Sequence, residues 1–95
     1  MVVSMIQLII EIPGIVSIKE KRRIVLSVKD KLRVKFKLSV AEVDLQESLS
    51  FTQIGAAYVS NSKEFGEKVL NKALFFIEET FPVRIQDVQI YSELY

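Results

Sequence analysis

Residues 2–20 read VVSMIQLIIEIPGIVSIKE, and this stretch decides how the chain begins to fold. Apolar residues alternate along residues 2–12, which is the period of a strand with one buried face. That face carries Ile6, Leu8, Ile10 and Ile12. Pro13 and Gly14 then interrupt the pattern. Ser17 and Glu20 follow in the S-x-x-E spacing of a capping box, which opens a helix. The stretch therefore predicts a strand, a turn and a helix.

The same reading continues to the end of the chain. Hydrophobic periodicity and turn signals predict four more elements after the first helix, which itself runs to about Phe36. These are strands over 38–44 and 51–60, a second helix from Asn61 or Ser62 to Phe81, and a strand over 83–91. The order β-α-β-β-α-β with right-handed crossovers predicts an α+β ferredoxin-like sandwich. We expect one domain, residues 1–95, in which a four-stranded antiparallel sheet carries two helices on one face.

Each helix offers an apolar stripe for the core of this sandwich. On the first helix the stripe is centred on Val25 and includes Ile18, Val28, Leu32 and Phe36. On the second helix it comprises Phe65, Val69, Ala73, Phe76 and Ile77, widened by Leu70 and Leu74. Lys21 projects close to the first stripe, so we expect its stem to pack at the sheet edge while its amine reaches solvent.

Composition restricts the chemistry that the chain can perform. The 95 residues include neither cysteine nor histidine, so neither a cysteine nucleophile nor a histidine general base is available. No acidic cluster has the spacing of metal ligands. Ser4, Gln7 and Glu11 interrupt the apolar N-terminal run, so no membrane span is expected. We therefore expect a cytoplasmic protein that is not an enzyme and needs no cofactor.

Positive charge is concentrated on the first helix. Residues 19–37 hold nine Lys and Arg against Glu20 and Asp30, a balance of +7, although the whole chain is only +1. On a helical wheel most of these cations lie to one side of the core stripe. We call this set the basic ridge: Lys19, Arg22, Arg23, Lys29, Arg33 and Lys37. It begins at a helix N-terminus, where the helix dipole disfavours cations. The ridge is either a solvated face or a surface that binds the phosphates of RNA or of a ribosomal particle.

The sheet face turned away from the helices is also apolar. We call it the outer face, and alternation places on it Val3, Met5, Ile9, Ala41, Val43, Ala57 and Val59. A face of this extent favours a homodimer formed by contact between outer faces. The alternative is that one strand is shifted by one residue, which would move its apolar side chains into the core.

Two other ferredoxin-like functions can be compared with the residues. An RNA-recognition motif would place stacking aromatic residues on its central strands, and FTQIGAAYVS (51–60) does not match that pattern. EIPGIV (11–16) resembles the Pro-Gly turn of amino-acid-sensing ACT domains. A dimeric ACT-like module for a small ligand or a protein is therefore the alternative function.

Longer motifs resemble one family more closely. The segments PG-x-x-S-x-KEKRR (13–23), SVAEV (39–43) and VSN (59–61) are similar to those of the YlxP-like family, small bacterial proteins of unknown function. Members commonly carry a Trp-containing segment where this chain has LQESLSF (45–51). The resemblance implies a ferredoxin-like fold. It also implies a gene setting among transcription and translation factors, near ribosome-binding factor A, and it supplies no catalytic residue.

Overall fold

The computed structural model describes all residues from Met1 to Tyr95. It contains six elements in the predicted order, and their bounds differ from the predicted ones by three residues at most. They are β1 (Val2–Glu11), α1 (Ile18–Phe36), β2 (Ser39–Asp44), β3 (Phe51–Ser60), α2 (Lys63–Thr80) and β4 (Arg84–Leu94). The last strand continues beyond the predicted end at Tyr91, because it stays paired with β1 as far as the partners Val2 and Leu94.

The four strands form one antiparallel sheet in the order β2-β3-β1-β4. The side chains of Ile6, Ala56 and Ile90 lie side by side, because Ile6 pairs with both of the other residues. Both helices pack on the face that carries these three residues. This is the α+β ferredoxin-like arrangement, as predicted.

One cluster of 14 buried apolar residues joins the sheet to the helices. Along β1 the burial alternates residue by residue, which confirms the face predicted from Ile6, Leu8, Ile10 and Ile12. Helix α1 contributes Val25, Val28 and Leu32 to the cluster, as its wheel predicts. Neither helix combines the length and the apolar character that a membrane crossing requires.

Serine side chains cap both helices. The Ser17 hydroxyl accepts a hydrogen bond from the Glu20 amide at 3.2 Å, and Ser62 accepts one from the Phe65 amide at the same distance. Each bond satisfies an amide that has no partner within the helix. The Glu20 carboxylate makes no bond back to the Ser17 amide, so only half of the predicted capping box forms. Of the two candidates for the second cap, Ser62 rather than Asn61 takes the role.

The buried face of α2 is rotated relative to the prediction. Phe65, expected in the core, is 53% exposed and packs its ring against Tyr58, with centroids 6.1 Å apart. The neighbouring Gly66 is buried instead, because α2 approaches β1 closely there. A Cβ atom on Gly66 would lie 2.3 Å from the Ser4 hydroxyl oxygen, so no larger residue fits without movement. The close approach turns Phe65 outwards.

The outer face has the predicted composition. The pairs Val3–Val59 and Met5–Ala57 lie opposite each other on β1 and β3, on the side away from the helices. Ala41 pairs with Gly55, and the side chain of Val43 lies over that glycine. The pairing is regular at these positions except for an irregularity at Val43, between Glu42 and Asp44, and these side chains stay on the outer face, so the alternative assignment of the apolar side chains is wrong.

Candidate nucleic-acid interface on helix α1

Most cations of α1 have no acidic partner. Of the nine Lys and Arg residues between positions 19 and 37, only Lys21 and Arg33 form ion pairs. Five of the six residues of the basic ridge are exposed, and Lys29 is half-buried. Helix α1 has 19 residues and is therefore about 28 Å long, at about 1.5 Å per residue. The helix thus presents a long surface of uncompensated positive charge.

Arg33 differs from the other ridge residues because its guanidinium is already engaged. It donates a hydrogen bond to the carbonyl oxygen of Val40 at 3.1 Å and lies 3.4 Å from the Asp30 carboxylate. Val40 belongs to the edge strand β2, so this contact fastens the helix to the sheet. The Arg33 side chain nevertheless keeps 46% of its surface exposed. Arg33 thus holds α1 against β2 and also contributes positive charge to the surface.

Two ridge residues face a groove between α1 and the β2–β3 loop. Arg22 and Lys29 line this groove, which has a volume of about 420 Å³. Glu42, Gln46 and Glu47 form the opposite wall. The groove therefore has mixed charge, and Glu47 would oppose a phosphate placed deep within it. The uncompensated cations lie along the rim and the outward face of the helix.

Arg23 belongs to a different part of the helix surface. It lies beside Leu26, Asp30, Lys31 and Val34 on the side turned to solvent. Leu26 and Val34 are 52% and 71% exposed, so apolar side chains separate the charges here. The structure consequently divides the predicted ridge, with Arg22 and Lys29 towards β2 and Arg23 on the outward face beside Lys31.

Lys37 ends the helix in an unusual backbone conformation. Its φ of 59° and ψ of 34° place it in the left-handed region, and its amide donates to the Arg33 carbonyl. Glycine is the usual residue at such a position, because a side chain there is sterically unfavourable. A lysine in this place adds an exposed charge at the end of the ridge.

The prediction that the amine of Lys21 reaches solvent is wrong. The residue is only 1% exposed, and its ammonium group lies beneath the β2–β3 loop. Nζ donates to the carbonyl oxygens of Leu45, Gln46 and Ser48, at 2.7, 3.3 and 2.5 Å. The Glu42 carboxylate lies 3.5 Å away. These three carbonyls accept all three protons of the ammonium group, so it needs no water.

The loop is arranged around this buried ammonium. Leu45 has a φ of 62°, and its amide is held by the Asp44 carboxylate at 2.7 Å. Glu42 in turn accepts a hydrogen bond from the Thr52 hydroxyl. Lys21 thereby connects α1 to β2, to the loop and, through Glu42, to β3. It positions the wall of the groove that Arg22 and Lys29 line.

Aromatic side chains are scarce along the cationic surface. The single aromatic residue of α1 is Phe36, and its ring packs edge-on against Phe76 of α2, with centroids 5.5 Å apart. The Lys35 ammonium lies over the Phe76 ring at 5.3 Å. A nucleobase would thus find charge along α1 but no free ring on which to stack.

Comparison with known proteins shows the family of the chain. The family model described as "Protein of unknown function (DUF503)" matches residues 3–90. The chain belongs to this family. The uncharacterized protein YlxP of Bacillus subtilis (strain 168) is 36% identical over 66 residues, which are 70% of this chain and 71% of that protein.

Within this member of the DUF503 family, the motif KEKRR (19–23) has two separate roles. Lys21 is a buried structural residue, whereas Lys19, Arg22 and Arg23 are exposed. Sequence reasoning missed the role of Lys21, since its partners are backbone carbonyls that any residue type would provide. Its proximity to the core stripe was the one available signal.

Proposed function

We propose that the protein binds structured RNA, alone or within a ribosomal particle, through the exposed cations of α1. The proposal places its action in the cytoplasm and assigns it no catalytic step. The single observation that carries it is the group of seven cations of α1 and its C-cap without an acidic partner: Lys19, Arg22, Arg23, Lys29, Lys31, Lys35 and Lys37.

Electrostatics favours a polyanion as the ligand of this surface. Four Lys and Arg residues and ten acids lie outside residues 19–37, a balance of −6, so charges of opposite sign are segregated along the chain, although Glu42 and Glu47 lie across the groove from α1. Segregated charge steers a polyanion towards one side of a molecule. Each phosphate that is neutralised releases counterions, which makes such binding weaken steeply as salt increases.

The chemistry of the surface favours recognition of the phosphate backbone over recognition of bases. Single-stranded RNA is usually bound by aromatic stacking, and α1 presents no free ring. Duplex segments expose continuous phosphates and hide their bases in a deep groove. We therefore expect RNA hairpins to bind more tightly than unstructured strands, with little dependence on sequence.

No catalytic role is proposed for the carboxylates near the helix. Glu42 is occupied by Lys21 and Thr52, and Asp30 by Arg33. General acid–base chemistry needs a group that is free to exchange its proton with a substrate. The chain also lacks the histidine and cysteine that commonly serve this purpose.

A salt-dependent binding titration tests the proposal. Fluorescence anisotropy with a labelled RNA hairpin would compare the wild type with a triple variant, Lys19→Glu, Arg22→Glu and Arg23→Glu. Arg33 is left intact because it fastens the helix to β2. We expect the variant to bind at least about 100-fold more weakly, and the slope of log K against log salt to fall by about 3.

A matched control separates the surface from the total charge. Lys63→Glu, Lys68→Glu and Lys72→Glu change three exposed lysines of α2 and alter the net charge by the same amount. This control should keep nearly wild-type affinity. Equal losses in both variants, or no wild-type binding even at low salt, would contradict the proposal. Tighter binding of an unstructured strand would contradict only the preference for duplexes.

A further inference from the structure

We infer that the outer face of the sheet is the contact surface for a second copy of this chain. The inference is independent of RNA binding, because both helices lie on the opposite face. Several apolar side chains project from the outer face without any covering element of the same chain. Val43 and Val59 are 50% and 59% exposed, and Tyr91 is 41% exposed.

A hollow lies in the middle of this face. Its floor consists of small residues on neighbouring strands, Ala41, Gly55 and Ala57, and its volume is about 490 Å³. Met5, Val43 and Tyr91 rise around it. The face therefore offers both a depression and projecting apolar side chains. An isologous dimer requires such self-complementarity, because each copy presents the same surface to the other.

A hydrogen bond joins two polar side chains near the middle of this face, and further polar side chains lie along its β4 edge, where Asp87, Gln89 and Glu93 pair with Ile9, Gln7 and Val3. The Gln53 side-chain amide donates to the Gln7 side-chain carbonyl at 3.1 Å, across the strands β3 and β1. If a second copy covers these two side chains, their mutual hydrogen bond remains, so fewer buried donors and acceptors are left without a partner than with two separate amides. No Lys or Arg belongs to the outer-face strand positions from Val3 to Ile9 or from Gln53 to Val59. A nucleic acid would find no cation on these two strands, whereas a second copy would find an apolar area on β1, β2 and β3 that is bordered by the polar side chains of β4.

The size of the face is sufficient for a dimer. With about 3.3 Å per residue and ten residues in β1, the sheet is about 33 Å long. Four strands at about 4.8 Å spacing make it about 19 Å wide. The whole face, with the polar side chains of β4 included, thus covers about 600 Å² per copy and about 1,200 Å² for two copies, which reaches the lower bound of stable interfaces. Two twisted sheets pack in this way in β-sandwiches.

The oligomeric state and its response to one charge test the inference. Light scattering coupled to size-exclusion chromatography should give the wild type about twice the chain mass of 10.9 kDa. Ala57→Glu places a carboxylate beside the hollow on each copy, so this variant should elute at the mass of one chain. Phe75→Glu, at a 65% exposed position of α2, is the matched control and should remain a dimer.

The possible outcomes separate clearly. A wild type that has the mass of one chain at every concentration overturns the inference and leaves the face to a different partner. A dimer that survives Ala57→Glu, or that Phe75→Glu disrupts instead, also overturns it. If circular dichroism shows that Ala57→Glu fails to fold, Ala41→Glu on the exposed edge strand β2 takes its place, with the same expected dissociation.

Discussion

The carbonyl oxygen of Leu45 lies 2.7 Å from Lys21 Nζ, and Leu45 itself has a φ of 62°. A left-handed conformation at a leucine costs about 1–2 kcal/mol. Hydrogen bonds from a charged donor contribute about 1.5–3 kcal/mol each. The ammonium group therefore offsets the cost of the conformation, and the loop exists in this form because Lys21 lies beneath it.

Replacing Lys21 should be among the most damaging substitutions in α1. Lys21→Met keeps an unbranched apolar side chain but leaves three loop carbonyls without their donor and Glu42 without its ion-pair partner. We expect the free energy of unfolding to fall by about 3 kcal/mol or more, as for other broken buried pairs. Urea denaturation measures this change. The control Lys31→Met, at an exposed position, should stay within about 0.5 kcal/mol of the wild type; a similar value for Lys21→Met would refute the structural role.

Arg33 and Arg23 should separate stability from RNA binding. Arg33→Ala removes the bond to the Val40 carbonyl, so we expect a loss of about 1 kcal/mol in unfolding free energy. Arg23→Ala removes an exposed side chain without a partner and should leave stability nearly unchanged. For affinity towards an RNA hairpin the order should reverse, with the larger loss in Arg23→Ala. If Arg33→Ala lost more affinity than Arg23→Ala, Arg33 would be a phosphate contact in spite of its bond to β2.

Replacing Lys37 by glycine should raise the free energy of unfolding and lower the affinity for RNA. Lys37→Gly relieves the left-handed backbone at the end of α1. We expect a gain of about 0.5–1 kcal/mol in unfolding free energy, after the added flexibility of the unfolded chain is subtracted. Affinity for the RNA hairpin should decrease slightly, because one exposed cation is lost. Lys35→Gly, in the regular last turn of the same helix, is the control and should destabilise the protein. A loss of stability in Lys37→Gly would show that the lysine side chain makes a contact that outweighs the strain.

The sequence predicts the elements well because their causes are local. Alternation in β1 and the stripe at Val25, Val28 and Leu32 follow directly from the periods of strand and helix. Ser17 caps α1 for the same reason, since its partner amide is three residues away. Helical periodicity also places the cations of the basic ridge outside the core stripe, but it groups Arg22 with Arg23, which the structure places on different sides of the helix.

What the sequence did not predict depends on contacts between distant segments. The path of the β2–β3 loop decides the burial of Lys21. The hydrogen bond of Arg33 depends on the position of the Val40 carbonyl in the edge strand β2. Phe65 is exposed because Gly66 brings α2 against Ser4, a distance that no pattern within α2 contains. Backbone carbonyls carry no residue identity, so periodicity cannot show which of them a cation will meet.

The placement of α1 on one side of the sheet has a consequence for avidity. In a dimer joined through the outer faces, the two copies of α1 would lie on opposite flanks of the assembly and point away from each other. One RNA duplex could not easily reach both, whereas two separate duplexes, or two arms of one folded RNA, could each occupy one flank. Such a particle would act as a bivalent clamp, in which binding of one arm raises the effective concentration of the other.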